Sequence, residues 1–240
     1  MTHKKVAIVT GGNGGYGAGI AEVFKNNNIN VWITGRNQKK LEATAERLGV
    51  NKIQADVTKI EDWDRVFETV VAQSGTVDYL INNAGGGINK SDLVDLSDDD
   101  ILACVNINLT GVILGSKRAA QIMKKKRSGT IVNISSVVAL EAWPGWTVYS
   151  AAKGGLEQFT KCLYAELRPF GARATLVTPS WGQTDFMINA NLEEKPDDIR
   201  ARTTKPTELG DLVLYVCKLP NHLWIQEVTM WPTVQEVVPL

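Results

Sequence analysis

Val6-Ala7-Ile8-Val9-Thr10-Gly11-Gly12-Asn13-Gly14-Gly15-Tyr16-Gly17 decides how the chain folds. Four apolar residues with no polar break suit a strand covered on both faces, as in a parallel sheet. The run stops at Thr10-Gly11-Gly12, and Ile20, Ala21, Val23 and Phe24 then fall on one face of a helix. Glycines between a first strand and a first helix allow a tight turn, close backbone approach to a pyrophosphate, and tight helix–sheet packing. The helix N-terminus adds free N–H groups and partial positive charge. The spacing is G-x-x-x-G-x-G (Gly11, Gly15, Gly17), with no Lys-Ser/Thr after it, so a nucleoside-triphosphate P-loop is excluded.

The same alternation continues outward. Val31–Ile33, Lys52–Ala55, Val77–Asn82, Thr130–Ile134, Ala174–Val177 and Val228–Trp231 read as six further strands. Helical spacing runs through Leu41, Ala45 and Leu48, through Trp63 to Val71, from about Asp98 to Lys126, and from Tyr149 to Leu167 near Pro169 and Gly171. Strand–helix alternation to the end implies right-handed βαβ units. The expectation is one α/β Rossmann-type, doubly wound domain over residues 1–240, with a seven-stranded parallel sheet and helices on both faces. Residues 180–205 are the least regular stretch. They read either as a surface insertion or as a substrate lid, and the preceding strand favours the lid.

Composition narrows the chemistry. Of 240 residues, 26 are Lys or Arg and 26 Asp or Glu, so a zero net charge gives no bulk reason to bind nucleic acid or anionic membrane. Lys124–Arg127 reads as a cationic helix end. Cys104, Cys162 and Cys217 are dispersed, which argues against a disulfide framework or zinc site and fits a reducing, cytoplasmic compartment. His3 and His222 offer no histidine-based metal site or triad, and no metal is expected. Met1–Lys5 is too short a lead into Val6 for a signal peptide, and no apolar run reaches the ~20 residues of a membrane span.

The second strand ends in Thr34-Gly35-Arg36. An NAD site places an acid there to hold the ribose 2′-hydroxyl, whereas a guanidinium suits a 2′-phosphate. Arg36 therefore points to NADP(H), unless it is only a solvated charge. In Tyr149-Ser150-Ala151-Ala152-Lys153 the Tyr and Lys share one helix face. An ammonium about 4 Å from a phenol is worth ~4 kcal/mol at an effective dielectric of 20, enough to lower its pKa by about three units. Ser136 follows the fifth strand, Asn108 lies in Asn106–Gly111, and Asn82-Asn83-Ala84-Gly85 ends the fourth strand. All lie at C-terminal strand ends, where open α/β sheets bind ligands.

Over nearly its whole length the chain resembles the short-chain dehydrogenase/reductase family. The resemblance rests on Thr10-Gly11…Gly15-x-Gly17, Asp56-Val57, Asn82–Gly85, Asn108, Ser136, Tyr149-x-x-x-Lys153 and Pro179…Thr184. The ending, Leu219-Pro220 and then Val228–Gln235, is similar to NADP-dependent dehydrogenases of 3-hydroxy acids, serine and related alcohols. It lacks the Asp-Gly-Gly ending of 3-oxoacyl reductases. The resemblance implies an alcohol–ketone oxidoreductase with four catalytic residues. Tyr149 would be the general acid/base, Ser136 would orient the carbonyl, Lys153 would lower the Tyr149 pKa and hold the nicotinamide ribose, and Asn108 would position a relay water. The cofactor would meet Gly11, Asn13, Gly15, Tyr16, Gly17, Arg36, Asp56 (on the adenine), Val57, Asn83, Ala84, Gly85, Tyr149, Lys153, Pro179 and Thr184. Trp143, Trp146 and Trp181 fall where the family builds its substrate pocket, and read as an aromatic cleft or as core and interface packing. A homotetramer or homodimer is implied. Three departures stand out: Tyr16 where Ile or Leu is usual, Gly14 where many NADP-dependent members carry Arg, and Ser180 where Gly is usual. They keep open a catalytically silent cofactor-sensing protein, alongside an NAD-dependent or 3-oxoacyl-type reductase.

Overall fold

The computed structural model describes residues 4–190 and 195–236, so His3 and part of the 180–205 stretch lie outside the described residues. Seven strands form one sheet: β1 Val6–Thr10, β2 Asn30–Gly35, β3 Asn51–Gln54, β4 Tyr79–Asn82, β5 Gly129–Ile134, β6 Ala172–Pro179 and β7 Glu227–Met230. Their order is β3-β2-β1-β4-β5-β6-β7, and every pairing is parallel. The order reverses between β1 and β4, which opens a crevice at their C-terminal ends.

Both faces are covered, and the alternation along β1 shows how. Ala7 and Val9 pack with Ile20 and Phe24 of α1 (Gly15–Asn26), Leu41 of α2 (Gln38–Leu48) and Leu209 of a late helix, Pro206–Lys218. Val6 and Ile8 pack on the opposite face with Trp63 and Phe67 of α3 (Ile60–Ser74), and with Met123 and Leu163. This two-sided burial is why the strands read as unbroken apolar runs.

Two sequence boundaries shift. The expected helix from Asp98 to Lys126 is α4 Asp98–Val105 and α5 Gly111–Lys126, joined through a π-helical turn at Asn106–Thr110. Such turns recur at functional sites, and this one carries Asn108. The helix after β5 is α6, Thr147–Leu167. It gives way to a short 3-10 turn at Arg168–Phe170, where Pro169 removes a donor and Gly171 turns left-handed at φ 70°. Two short helices follow β6, α7 Phe186–Asn189 and α8 Asp197–Arg200, and the Pro206–Lys218 helix is α9.

The sixth strand is longer than its apolar run because Arg173 is built into it. Its guanidinium is buried and donates to the carbonyls of Leu219, Pro220 and Leu223 at 3.0 Å each. It also donates to Thr130 Oγ1 at 3.2 Å and the Cys217 carbonyl at 3.4 Å. Those acceptors close the end of α9 and the turn that leads into β7.

Candidate active site

A cleft of about 1370 Å³ runs across the C-terminal strand ends. Its middle is the β1–α1 loop. Gly11 has φ 63°, and a Cβ there would lie 2.9 Å from the Ala84 Cα. Thr10 Oγ1 accepts from the Asn83 and Ala84 N–H groups at 3.0 Å, and Asn83 Nδ2 donates to the Thr10 carbonyl at 2.9 Å. These bonds fasten the loop to the end of β4 at the point of reversal. Gly15 opens α1 with Thr184 facing it, only 3.2 Å from where a Cβ would stand. The result is a floor of backbone with a helix N-terminus aimed into it, suited to an anion.

One end of the cleft is walled by Asn13, Arg36, Lys40, Asp56 and Val57. Arg36 is exposed and makes no ion pair among the described residues. Lys40 reaches across the opening to Asp185 at 3.9 Å. One oxygen of Asp56 is engaged by Thr58, through its N–H at 2.9 Å and its hydroxyl at 2.8 Å.

The other end holds Ser136, Tyr149 and Lys153. Ser136 caps the turn after β5, accepting from the Val138 N–H, and its hydroxyl acts on the Tyr149 phenol across the cleft. Tyr149 and Lys153 share the inner face of α6 and both are buried. Lys153 Nζ donates to the Ile134 carbonyl at 2.8 Å and stands 5.6 Å from the centre of the Tyr149 ring. Behind them Asn108 is wholly buried. Its Nδ2 donates to the carbonyls of Gly86 at 2.7 Å and Cys104 at 2.9 Å. Trp143, Trp146 and Phe186 form an aromatic wall around Tyr149. Trp146 stacks on Phe186 at 6.3 Å and lies 5.8 Å from the Tyr149 ring.

The family described as short chain dehydrogenase matches residues 5–195. The chain belongs to that family. It is 31% identical over 231 residues to an uncharacterized oxidoreductase of Staphylococcus aureus (strain MRSA252), covering 95% of this chain and 97% of the relative. Among solved structures it is similar to a closed serine dehydrogenase complexed with NADP+, with a TM-score of 0.88, 26% identity and 98% of each chain covered. It is also similar to an alcohol dehydrogenase from Thermococcus sibiricus complexed with 5-hydroxy-NADP, with a TM-score of 0.87 and 25% identity, covering 97% of this chain and 98% of that one.

Within this short chain dehydrogenase, the cleft gathers most of the residues singled out by sequence, including Ala84, Gly85, Pro179 and all three of Trp143, Trp146 and Trp181. Two do not line it. Gly17 packs beneath the loop, where a Cβ would stand 2.6 Å from Asn83 Nδ2. Asn108 lies behind Gly85 and Gly86. Tyr16 lines the cleft, yet its hydroxyl turns to the segment after β6 and donates to the Ser180 carbonyl at 3.2 Å.

The electrostatic expectation for Tyr149 needs correction. Burial outweighs every other influence and pushes the Tyr149 phenol above its ordinary range, with the Ser136 hydroxyl pulling it partly back. The same burial lowers Lys153 to about 8. The ammonium is aimed at the Ile134 carbonyl, so it does not offset the loss of water around the phenol. Phe186 and Lys195 are cleft residues that the sequence did not announce. Lys195 stands over the Trp181 ring, 3.1 Å from its centre. Both fall in the irregular 180–205 stretch, where no periodicity marks a face. Among the described residues no group of three or more His, Cys, Asp or Glu could hold a metal ion, and no helix is long and apolar enough to cross a membrane.

Proposed function

We propose that this short chain dehydrogenase is an NADP-dependent oxidoreductase that interconverts a secondary alcohol and a ketone, with Tyr149 as general acid/base. One observation carries the reading: Ser136, Tyr149 and Lys153 line the same cleft as the backbone cradle at the β1–α1 loop.

The residues present fit an extended nicotinamide dinucleotide. Arg36, together with Asn13 and Asp56, suits the adenosine end with its 2′-phosphate. The loop and the α1 N-terminus suit the pyrophosphate, and Lys153 suits the nicotinamide ribose. That both solved neighbours were complexed with NADP or its derivative supports the same reading. When bound, the cofactor supplies or accepts the hydride. The protein's own part is the proton. Ser136 and Tyr149 would both meet the substrate oxygen, and a phenol held protonated by burial is suited to donate to a carbonyl during reduction. The aromatic wall of Trp143, Trp146 and Phe186 suits an apolar or bulky ketone. Trp181 and the described parts of 180–205 would close over it as a lid.

A panel of ketones with NADPH and NADH tests the assignment; no turnover of any ketone would remove it. On that panel Arg36→Ala is expected to raise the NADPH Kd about 10- to 100-fold while the NADH Kd moves less than about threefold, because one charge-assisted phosphate contact is worth about 1.5–3 kcal/mol. Equal weakening would show that Arg36 does not read the 2′-phosphate.

The lowered Lys153 gives a pH dependence. Below about 8 it is an ammonium able to donate to a nicotinamide ribose, and above about 8 it becomes a neutral amine and a weaker donor. kcat/KM for ketone reduction is therefore expected to be level near neutrality and to fall on the alkaline side of about 8. Lys153→Arg should move that fall upward, since a guanidinium keeps its charge. An unbroken profile through this range would exclude Lys153 as the titrating group.

A further inference from the structure

Two of the three family departures touch each other. Tyr16, from the β1–α1 loop, lays its ring against Gly182, so closely that a Cβ on Gly182 would collide with it. Its hydroxyl donates to the Ser180 carbonyl at 3.2 Å. Ser180, in turn, is held from the opposite side. Its N–H donates to the Met230 carbonyl at 3.0 Å, and its hydroxyl donates to Gln235 Oε1 at 2.5 Å. The same Gln235 oxygen accepts from the Trp181 N–H at 3.3 Å, and Gln235 is only 6% exposed.

Ser180–Gly182 is also where both ends of the following excursion meet. Gly182 and Thr204 form an isolated parallel bridge, with the Gln183 N–H on the Thr204 carbonyl at 2.9 Å and the Thr204 N–H on the Trp181 carbonyl at 3.1 Å. From this base Trp181, Thr184 and Phe186 enter the cleft, with Phe186 at 6.1 Å from the Tyr149 ring.

We infer that Tyr16 and Gln235 are positioning residues that clamp Ser180–Gly182 from its two sides and so set the substrate-facing wall of Trp181 and Phe186 against Tyr149. The inference rests on the oxidoreductase reading of the cleft. Neither side chain needs to touch substrate. The clamp raises the share of molecules whose wall is in place, and apparent affinity scales with that share. Tyr16 also ties this wall to the loop proposed to cradle the cofactor, so a bulky residue in a loop that usually carries Ile or Leu acquires a purpose.

The test uses the full chain and three variants: Tyr16→Phe, which removes one hydroxyl, Gln235→Leu, which removes one acceptor, and Ser180→Ala as a second route should either fail to fold. In each, the ketone KM is expected to rise about fivefold, the loss of one hydrogen bond, and in Gln235→Leu and Ser180→Ala kcat and the NADPH Kd stay within about twofold. Hydrogen exchange at the Gln183 and Thr204 amides should quicken in parallel. Faster exchange with an unchanged ketone KM would make the clamp merely structural and overturn the inference. A weakened NADPH Kd with an unchanged KM would place Tyr16 in cofactor binding instead, and would overturn it equally. If the unaltered protein turns over no ketone, the functional reading fails; slow amide exchange in the parent that quickens in Tyr16→Phe and Gln235→Leu would still uphold the clamp, and equal exchange would refute it.

Discussion

Tyr149→Phe is expected to lower kcat for ketone reduction by about 10²- to 10⁴-fold, the usual worth of a positioned proton donor. The substitution takes away one oxygen and leaves the ring. Packing against Trp146 and Phe186 is kept, so the fold and the wall should survive. The cradle at the β1–α1 loop is untouched, and the NADPH Kd should move little. Ser136 keeps its place, because it caps the turn after β5 by accepting from the Val138 N–H. The pattern to look for is a collapse of kcat with retained cofactor binding. A kcat within tenfold of the parent would mean that another group delivers the proton.

Arg173→Leu should destabilise the fold strongly from a position away from the cleft. The guanidinium has no carboxylate partner among the described residues; it is satisfied by four carbonyls and a hydroxyl. Leucine fills much of the volume and serves none of these acceptors. A buried acceptor without a donor costs about 1–3 kcal/mol, and the turn can relax to recover part of the loss. A net loss of about 3–4 kcal/mol follows, or a fall in Tm of roughly 6–16 °C for a domain of this size. Arg173→Lys should recover only part, since one ammonium cannot reach acceptors spread from Cys217 to Leu223. The effect reaches the cleft indirectly: the turn feeds β7, and the β7 residue Met230 holds Ser180. A Tm within 2 °C or so of the parent would show that the turn holds itself.

Sequence and structure agree most closely where local pattern and burial coincide. The β1 run and its glycines specify the strand, the turn and the helix start through short-range constraints, and all three lie where expected. The Tyr149–Lys153 spacing likewise predicts a shared face, because four residues nearly complete a helical turn. What the spacing lacks is the surroundings. A phenol and an amine one turn apart in water would stabilise each other's charge, but here both are buried and the ammonium is drawn to Ile134. Desolvation depends on the whole fold and leaves no local mark. The π-helical turn at Asn106–Thr110 is hidden for a similar reason, since the backbone on either side, at Val105 and Gly111, is itself right-handed helical. Arg173 interrupts an apolar strand run in sequence, and only the acceptors brought from the end of α9 explain it. Gln235 is 55 residues from Ser180, and nothing in either neighbourhood foretells their contact. The expected lid is the least legible element: its described parts hold Phe186 and Lys195 in the cleft, while residues 191–194 lie outside the described residues.

In the proposed reaction Ser136 and Tyr149 jointly receive the substrate oxygen beside the cofactor. A crystal structure of the protein with NADP+ and a secondary alcohol tests it most directly. The alcohol oxygen is expected within about 2.6–3.2 Å of both Ser136 Oγ and Tyr149 Oη. An alcohol seated in the cleft with its oxygen on neither hydroxyl would contradict it.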